Sequence, residues 1–414
     1  MTICSYLRKN VMLSTKRMKC FLRSFDVGIG DCIVIRLVKE DGKQYVIMVD
    51  CGKYTTPLKE YLQDTLQNHI DLLIATHIDS DHIQGMSTML KEHEGLTIDK
   101  IWYNSYKRGN GGETIELDEQ QKAIIKQIQK VLPVEFDAIN YREISASQGK
   151  TLARTILENE NLRKVWEFEK ITCEMKDFDI PGDFGKIVLL SPTQDALKAI
   201  DKKFKDAFDK FFMHEWTKSI ENGEELQELL IRLVDAHQEK FGEKLISART
   251  SPVYDAAYVR EQAKEESIDD SDTNYSSIAF ILECGGHKIA MLGDAVASTL
   301  EQSIDCKYKN EPRPLLCDAI KISHHGSNGN NSRALFERIN SHLYFISGGK
   351  GEKYPTWSTF GRIAETHKDN QVKKIVFSHQ CDITKKIDEL EKEVKQDLGV
   401  VTIISEQEYE LFEC

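Results

Sequence analysis

Four side chains able to ligate a metal fall within six positions in His77-Ile78-Asp79-Ser80-Asp81-His82. Imidazole nitrogen and carboxylate oxygen are the donors that zinc, manganese and iron share. The run follows directly on Asp71–Thr76, a short apolar stretch that predicts a buried strand, and Gly85 closes it. An alternating loop sends His77 and Asp79 toward one ion and Asp81 with His82 toward a second. Isolated histidines and aspartates are usually surface groups or satisfied core groups, but four together without a cation would bury carboxylates at a cost. Two later segments extend the set. Leu292-Gly293-Asp294 ends a predicted strand with one carboxylate, placed to bridge two ions, although Gly-Asp alone marks a turn more often than a site. Ile322-Ser323-His324-His325-Gly326-Ser327 ends another. It offers two imidazoles, either of them available as the ligand, before a glycine that permits close backbone approach. Asp50, in Val49-Asp50-Cys51-Gly52, also ends a strand. Its expected part is to orient the metal loop by hydrogen bonds rather than to bind metal.

The elements that must position these residues follow from periodicity. Residues 20–51 read as β-structure, with Ile33, Ile35 and Leu37 alternating, a hairpin turn at Asp41-Gly42 and a return strand at Tyr45–Val49. After the metal loop the pattern predicts a helix from Gly85 to His93, a strand at Ile98–Tyr103, a helix at Leu117–Leu132 and a core strand at Gly185–Leu190. Residues 194–247 change character. They are highly charged, with Phe204, Phe208, Phe211 and Phe212, then Leu226, Leu229, Leu230 and Leu233, at helical spacing. This reads as a helical insertion, and residues 264–273 (KEESIDDSDT) are expected as an acidic linker after it. Strands then resume at Ser277–Leu282 and Lys288–Leu292, and alternate with helices through Ala319–Ser323, Leu343–Ser347, Lys374–Ser378 and Val400–Ile404. Strand runs followed by strand–helix alternation in each half predict a layered α/β sandwich. The expected division is a tail at 1–17, a first half at 18–192, the insertion with its linker at 193–273, and a second half at 274–414.

The 414 residues give room for one large domain with an insertion, or for two domains, and enough chain to bury a core without staples. A formal net charge of −12 argues against a protein that coats nucleic acid, but not against a nuclease whose metal ions meet the phosphate. The ten cysteines form no C-x-x-C pair, so they are expected as reduced, mostly buried thiols of a cytoplasmic protein. No apolar run approaches the ~20 residues that cross a bilayer, and no membrane association is expected.

Taken in order, the segments resemble the metallo-β-lactamase superfamily, and within it the hydrolase domain of the ComEC competence proteins. The resemblance rests on Phe25-Asp26-Val27-Gly28-Ile29-Gly30-Asp31, Asp50-Cys51-Gly52, the H-x-D-x-D-H-x-x-G loop from His77 to Gly85, Gly293-Asp294, and His324-His325-Gly326-Ser327. It covers roughly residues 20–105 and 274–380 and implies a four-layer αββα metallo-β-lactamase sandwich. Two departures matter. Asp79 stands where the wider superfamily usually has histidine, as in many ComEC-like members. The superfamily's mid-chain histidine ligand has no clear match, since His214 and His237 fall in the insertion as solvated helix residues. Asn274 and Ser276 lie nearer the expected region and are candidates for contact with substrate or bound water. Near the end, Lys353-Tyr354-Pro355-Thr356 replaces a Tyr-Gly-His-Pro-like stretch, so Tyr354 is either a phosphate contact or proton donor or a packed loop residue.

The resemblance implies two divalent ions, zinc or manganese, held by His77, Asp79, Asp81, His82, Asp294, His324 and His325. Asp31, Asp50, Ser327 and Asn274 support them. A hydroxide bridging the ions attacks phosphorus or, less readily, a carbonyl carbon. Asp81, His325 and Tyr354 are the expected catalytic residues, with Ser327 a further candidate to assist the leaving oxygen. The leading substrate is DNA and the next a small phosphodiester, such as a cyclic nucleotide or a phosphocholine ester. Soluble ComEC-like hydrolases make bacterial defence the implied setting. Lys107, Arg108, Asn110 and Gly111 lie in a loop that could reach a phosphate backbone, and residues 194–247 could recruit a protein partner. A non-catalytic subunit that keeps the fold and binds a partner is the reading of another class.

Overall fold

The structure, a computed structural model, describes residues 17–105, 152–167, 169–202, 253–349, 351, 353–366 and 371–414. The expected helix at 117–132, the loop from Lys107 to Gly111, the tail through residue 16, and His214 and His237 lie outside the described residues. Of the insertion, residues 194–202 are described, and they are helical.

The first sheet contains β1 (Met18–Ser24), β2 (Ile33–Lys39) and β3 (Gln44–Val49), paired antiparallel, then β4 (His69–Ala75) and β5 (Thr97–Tyr103), paired parallel. The second begins with β6 (Phe178–Ile180), β7 (Gly185–Ser191), β8 (Ala279–Cys284) and β9 (His287–Met291), all antiparallel. A two-stranded parallel ribbon, β10 (Leu315–Cys317) with β12 (Ile339–Ser341), flanks it. The second sheet continues from β9 in parallel through β11 (Ala319–Lys321), β13 (Leu343–Ile346), β14 (Lys373–Phe377) and β15 (Val400–Ile404). The halves are not separate in space. β6 and β7 leave the first half for the second sheet, and β16 (Glu408–Glu413) returns to the first, antiparallel to β1.

Period-two alternation explains why the sheets stack. In β2 and β3, Ile33, Ile35, Leu37, Tyr45, Ile47 and Val49 face a core shared with Phe280, Leu282 and Ile289 of the second sheet. Their neighbours Val34, Val46 and Met48 face the other way, toward helices. Those helices are α1 (Thr56–Asp64), α2 (Ser80–Glu92) and Leu152–Glu158, which bury Leu58, Leu62, Ile83, Met86, Met89 and Ile156. On the far side, Ala279 and Ile281 join Leu300, Ile304, Phe336, Phe360 and Ile387 of the helices over the second sheet. Three apolar layers between two sheets and two sets of helices make a four-layer α/β sandwich. The described cysteines are free thiols, most of them buried. No described helix is long and apolar enough to cross a membrane.

Two expectations change. α2 starts at Ser80, not Gly85, with Asp79 as its extended N-cap residue and Asp81 in its first turn. A carboxylate there is favoured by the unpaired N–H groups of a helix start, so Asp81 and His82 belong to a helix and not to an extended loop. Residues 264–273 do not behave as a linker. Arg362, 1% exposed, donates to the carbonyls of Ala263 (3.2 Å), Asn328 (3.2 Å), Asn331 (2.6 Å) and Glu265. It thereby pins this segment to the loop that follows His324-His325.

Candidate metal centre

The candidate ligands lie just beyond strands or at the start of α2: His77 after β4, Asp79, Asp81 and His82 at the head of α2, Asp294 after β9, His324 and His325 after β11. His324 (φ 45), His325 (φ 51) and Gly326 (φ 85) are consecutive left-handed residues. A non-glycine residue there costs about 1–2 kcal/mol, a strain of the kind that persists where the surroundings impose it. The two upstream motifs wrap the first turn of α2. A Cβ at Gly30 would lie 1.8 Å from the Asp81 carbonyl oxygen, and one at Gly52 2.1 Å from it. Cys51 N donates to the His82 carbonyl at 2.8 Å, and Gly52 N to the Asp31 carbonyl at 2.9 Å. Gly30 and Gly52 are there because backbone meets backbone.

Asp294 is the hub. Its Oδ2 lies 3.3 Å from His82 Nε2, 3.6 Å from His325 Nε2, 3.9 Å from His324 Nε2 and 4.0 Å from His77 Nε2. On one side Asp79 Oδ2 lies 3.3 Å from His77 Nε2. On the other, Asp81 Oδ2 lies 3.5 Å from His325 Nε2 and 3.9 Å from His82 Nε2. The Nδ1 atoms are turned outward to fixed partners. His82 Nδ1 meets Asp50 Oδ2 at 2.8 Å, His325 Nδ1 meets the Ser347 carbonyl at 2.9 Å, and His77 Nδ1 meets Thr76 Oγ1 at 3.0 Å. His324 Nδ1 meets Asn330 Oδ1 at 3.0 Å and Asp269 Oδ2 at 3.4 Å. Carbonyl and carboxylate oxygens only accept, so Nδ1 of His82 and of His325 carries a proton and Nε2 is the nitrogen that faces inward. Nε2 of His77, His82 and His325, all buried, makes no hydrogen bond among the described residues, and neither does Asp294 Oδ1. Buried nitrogens left without partners, converging on carboxylates, are what a divalent cation needs. His77, His82 and Asp294 form one group that could hold an ion, and Asp81, His82 and His325 another.

The electrostatics agree with that reading. Burial alone would raise the Asp294 carboxyl, but His82, His325 and His324 hold it well below the carboxylate range. Burial alone would lower His325, but Asp294, Asp31 and Asp81 push it up to about 10. His82 is raised in the same way by Asp294, Asp50 and Asp81, against its burial. The pocket therefore carries an excess of negative charge that attracts protons or metal ions alike.

The structure brings together His77, Asp79, Asp81, His82, Asp294, His324 and His325. Asp50 binds Thr76 N and Thr76 Oγ1, each at 2.7 Å, as well as His82. Asp31 Oδ1 accepts from Ser347 Oγ at 2.5 Å and lies 3.3 Å from His325 Nδ1. Asn274 donates to Asp269 at 2.5 Å, beside His324. Tyr354 lines the cleft, its ring 5.0 Å from that of His324. Ser327 is buried, and its carbonyl accepts from Asn331 (2.8 Å) and Thr359 (3.1 Å), so it braces the turn. Ser276 Oγ likewise closes its own turn onto the Thr273 carbonyl at 2.6 Å. Two residues were missed. Lys321, at the end of β11, is buried under the site, paired with Asp31 and 3.6 Å from Asp294 Oδ1. Asp269, in the supposed linker, accepts hydrogen bonds from Asn274 and Asn330 (2.7 Å) and positions His324. The cleft above these groups measures about 640 Å³.

No protein-family model matches the chain, and no curated protein matches it. Among solved structures, it is similar to the metallo-beta-lactamase fold protein YhfI from Bacillus subtilis. The two share 9% sequence identity and a TM-score of 0.35, over 95% of this chain and 99% of that one. At those values the likeness carries no argument, and the layered α/β fold rests on the chain's own strand order and three cores.

Proposed function

We propose that the protein is a metal-dependent hydrolase that cleaves phosphodiesters, with DNA the favoured substrate. The observation that carries this is the Asp294 carboxylate within 4.0 Å of four imidazole Nε2 atoms, three of them buried without a hydrogen bond. His77 and Asp79 would hold one divalent ion, zinc or manganese, and Asp81, His82 and His325 the other, with Asp294 reaching both. When bound, such ions supply Lewis acidity and a water acidified toward neutral pH. The chain's own residues do the rest. Asp50, Thr76 and the Ser347 carbonyl fix the imidazole tautomers. Asp269 and Asn330 set His324, and Tyr354 stands at the cleft wall to hand a proton to the leaving oxygen. The carboxylate-rich donor set favours hard cations such as manganese, which pair with phosphate oxygen.

The test is metal analysis of the purified protein, followed by incubation with manganese and single-stranded DNA, duplex DNA, RNA and a 4-nitrophenyl phosphodiester. Cleavage of DNA and of the aryl ester, lost in Asp81→Ala, is expected. A protein that takes up no metal, and whose cellular effect survives Asp81→Ala, would instead be a non-catalytic partner-binding subunit. A second reading, a small phosphodiester as substrate, is favoured by the cleft of about 640 Å³, a volume typical of small-molecule sites. Hydrolysis of the aryl ester but of no polymer would select it.

A further inference from the structure

The cleft does not stop at the metal ligands. From Asp81 it follows one face of α2, past Gln84, Gly85 and Thr88. These positions are three, four and seven residues on, one above another on the helix. Seven residues of helix span about 10 Å, more than the rise of ~3.4 Å per stacked nucleotide. Lys53 and Tyr54 wall this arm. Their backbone is pressed onto the helix, since a Cβ at Gly85 would lie 2.5 Å from Lys53 Cα and from Tyr54 N.

The Tyr54 ring is fixed from behind. Its hydroxyl meets His93 Nδ1 at 2.5 Å, and His93 Nε2 meets Asn68 Oδ1 at 2.7 Å. The carboxamide oxygen only accepts, so Nε2 carries the His93 proton and Nδ1 accepts from the phenol. Burial, with Lys59 nearby, pushes His93 below the ordinary imidazole range and keeps it neutral for that task. The phenol is engaged by the protein, and Tyr54, half-buried against the first sheet's helical core, lines the cleft. A fixed aromatic ring, an ammonium and the polar groups of Gln84 and Thr88, beside a phosphodiester-cleaving centre, are the surroundings that an unpaired nucleotide uses.

Resting on the phosphodiesterase reading above, we propose that Lys53, Tyr54, Gln84 and Thr88 form a subsite for the nucleotide flanking the scissile phosphate. The base stacks on Tyr54, and Lys53 meets the next phosphate. A base reaches that ring only when it is out of the duplex, so the subsite selects single-stranded DNA or frayed ends.

The test compares substrates with the same leaving group: the thymidine 3′- and 5′-(4-nitrophenyl) phosphates against methyl 4-nitrophenyl phosphate. Their ratio of kcat/KM reports the nucleoside alone. In the full chain loaded with manganese, Tyr54→Ala is expected to lower that ratio about five- to a hundredfold for one of the two thymidine esters. Tyr54→Phe keeps the ratio. Gln84→Ala, at an exposed helix position away from the His93 contact, lowers it in the same direction. The subsite is overturned if neither Tyr54→Ala nor Gln84→Ala moves the ratio. It is also overturned if Tyr54→Phe falls as far as Tyr54→Ala, which would assign the effect to the His93 bond. If the unaltered protein hydrolyses none of the three esters, the phosphodiesterase reading itself fails.

Discussion

Replacing Lys321 with methionine removes the one fixed cation that the described residues place beneath the centre, at nearly constant side-chain length. Lys321 and Asp31 are each 1% exposed. The ammonium pairs with Asp31 Oδ2, donates to the Gly293 carbonyl at 2.9 Å and lies 3.6 Å from Asp294 Oδ1. Burial by itself would raise the Asp31 carboxyl; Lys321, with His325 and His82, overrides it and holds the group far below the carboxylate range. Burial would lower Lys321, and Asp31 and Asp294 raise it instead. The lowered carboxyl gives stability that is complete above its unfolded pKa of about 3.9 and is lost as pH falls through the folded value. The raised ammonium gives stability complete below its unfolded value of about 10.4 and lost as pH rises through the folded one. At neutral pH both contributions are present, and breaking a buried pair from one side costs about 3–5 kcal/mol. That is about two to four powers of ten in the folded-to-unfolded ratio. Guanidinium unfolding at neutral pH, after chelation, measures it for wild type, Lys321→Met and the double variant Asp31→Asn/Lys321→Met. The double variant should recover much of the loss, because an asparagine there leaves no buried charge and its carbonyl oxygen can still accept from Ser347. A single variant that loses under about 1 kcal/mol, or a double variant less stable than the single, would refute the reasoning.

Three further outcomes follow from the same geometry. Asp50→Ala leaves His82 Nδ1 without its carboxylate, so metal affinity, read by competition with a chromogenic chelator, should fall about 10–100-fold; unchanged affinity would mean that His82 is not held for a metal. Because the carboxylates push His325 up to about 10, a metal ion must displace protons. Its affinity should therefore rise with pH through neutrality, with proton release visible as a dependence of binding heat on buffer; affinity flat across that range contradicts the protonated apo centre. Gly30→Ala, whose Cβ would sit 1.8 Å from the Asp81 carbonyl at φ +107, should displace the start of α2 and lower metal occupancy along with stability. Full metal occupancy in that variant would show that the two segments need not touch.

What could be read from the chain alone, and what could not, follows from how local each signal is. Alternation in β2 and β3 and the apolar runs of β4 and β7 are local, and the ligands are legible because each stands next to such a run. The early start of α2 was hidden because alternating His and Asp also fits an extended loop; the helix is decided by Ile83, Met86 and Met89 packing onto the first sheet. Lys321 reads as an ordinary lysine at a strand end, and only the meeting of the two sheets gives it Asp31. Asp269 sits in an acidic run that composition assigns to solvent, yet its partners are three side chains of the centre's surround. β16 carries Glu408, Glu410 and Glu413, a poor strand composition, but Lys19 of β1 binds Glu410 at 3.1 Å across the pairing, and Arg36 of β2 reaches over β1 to Glu408 at 2.7 Å. Such cross-strand pairs support a strand that propensity alone disfavours.

The centre belongs to neither sheet. His77, Asp79, Asp31 and Asp50 come from the first sheet's loops and Asp81 and His82 from the helix α2 that packs on it, while Asp294, His324, His325 and, at the end of β11, Lys321 come from the second sheet. Bringing them together buries more carboxylate than ammonium, and the imbalance must be met by protons on the histidines or by metal ions. Lys321, paired with Asp31 and 3.6 Å from Asp294, meets part of it permanently. The rest is left to exchangeable cations, so occupancy of the centre and docking of the sheets are thermodynamically linked, and a ligand at a hundred times its Kd adds about 2.7 kcal/mol. It follows that the Lys321→Met protein should depend on metal for stability more than wild type does. The cation removed from beneath the centre is then supplied only from above it.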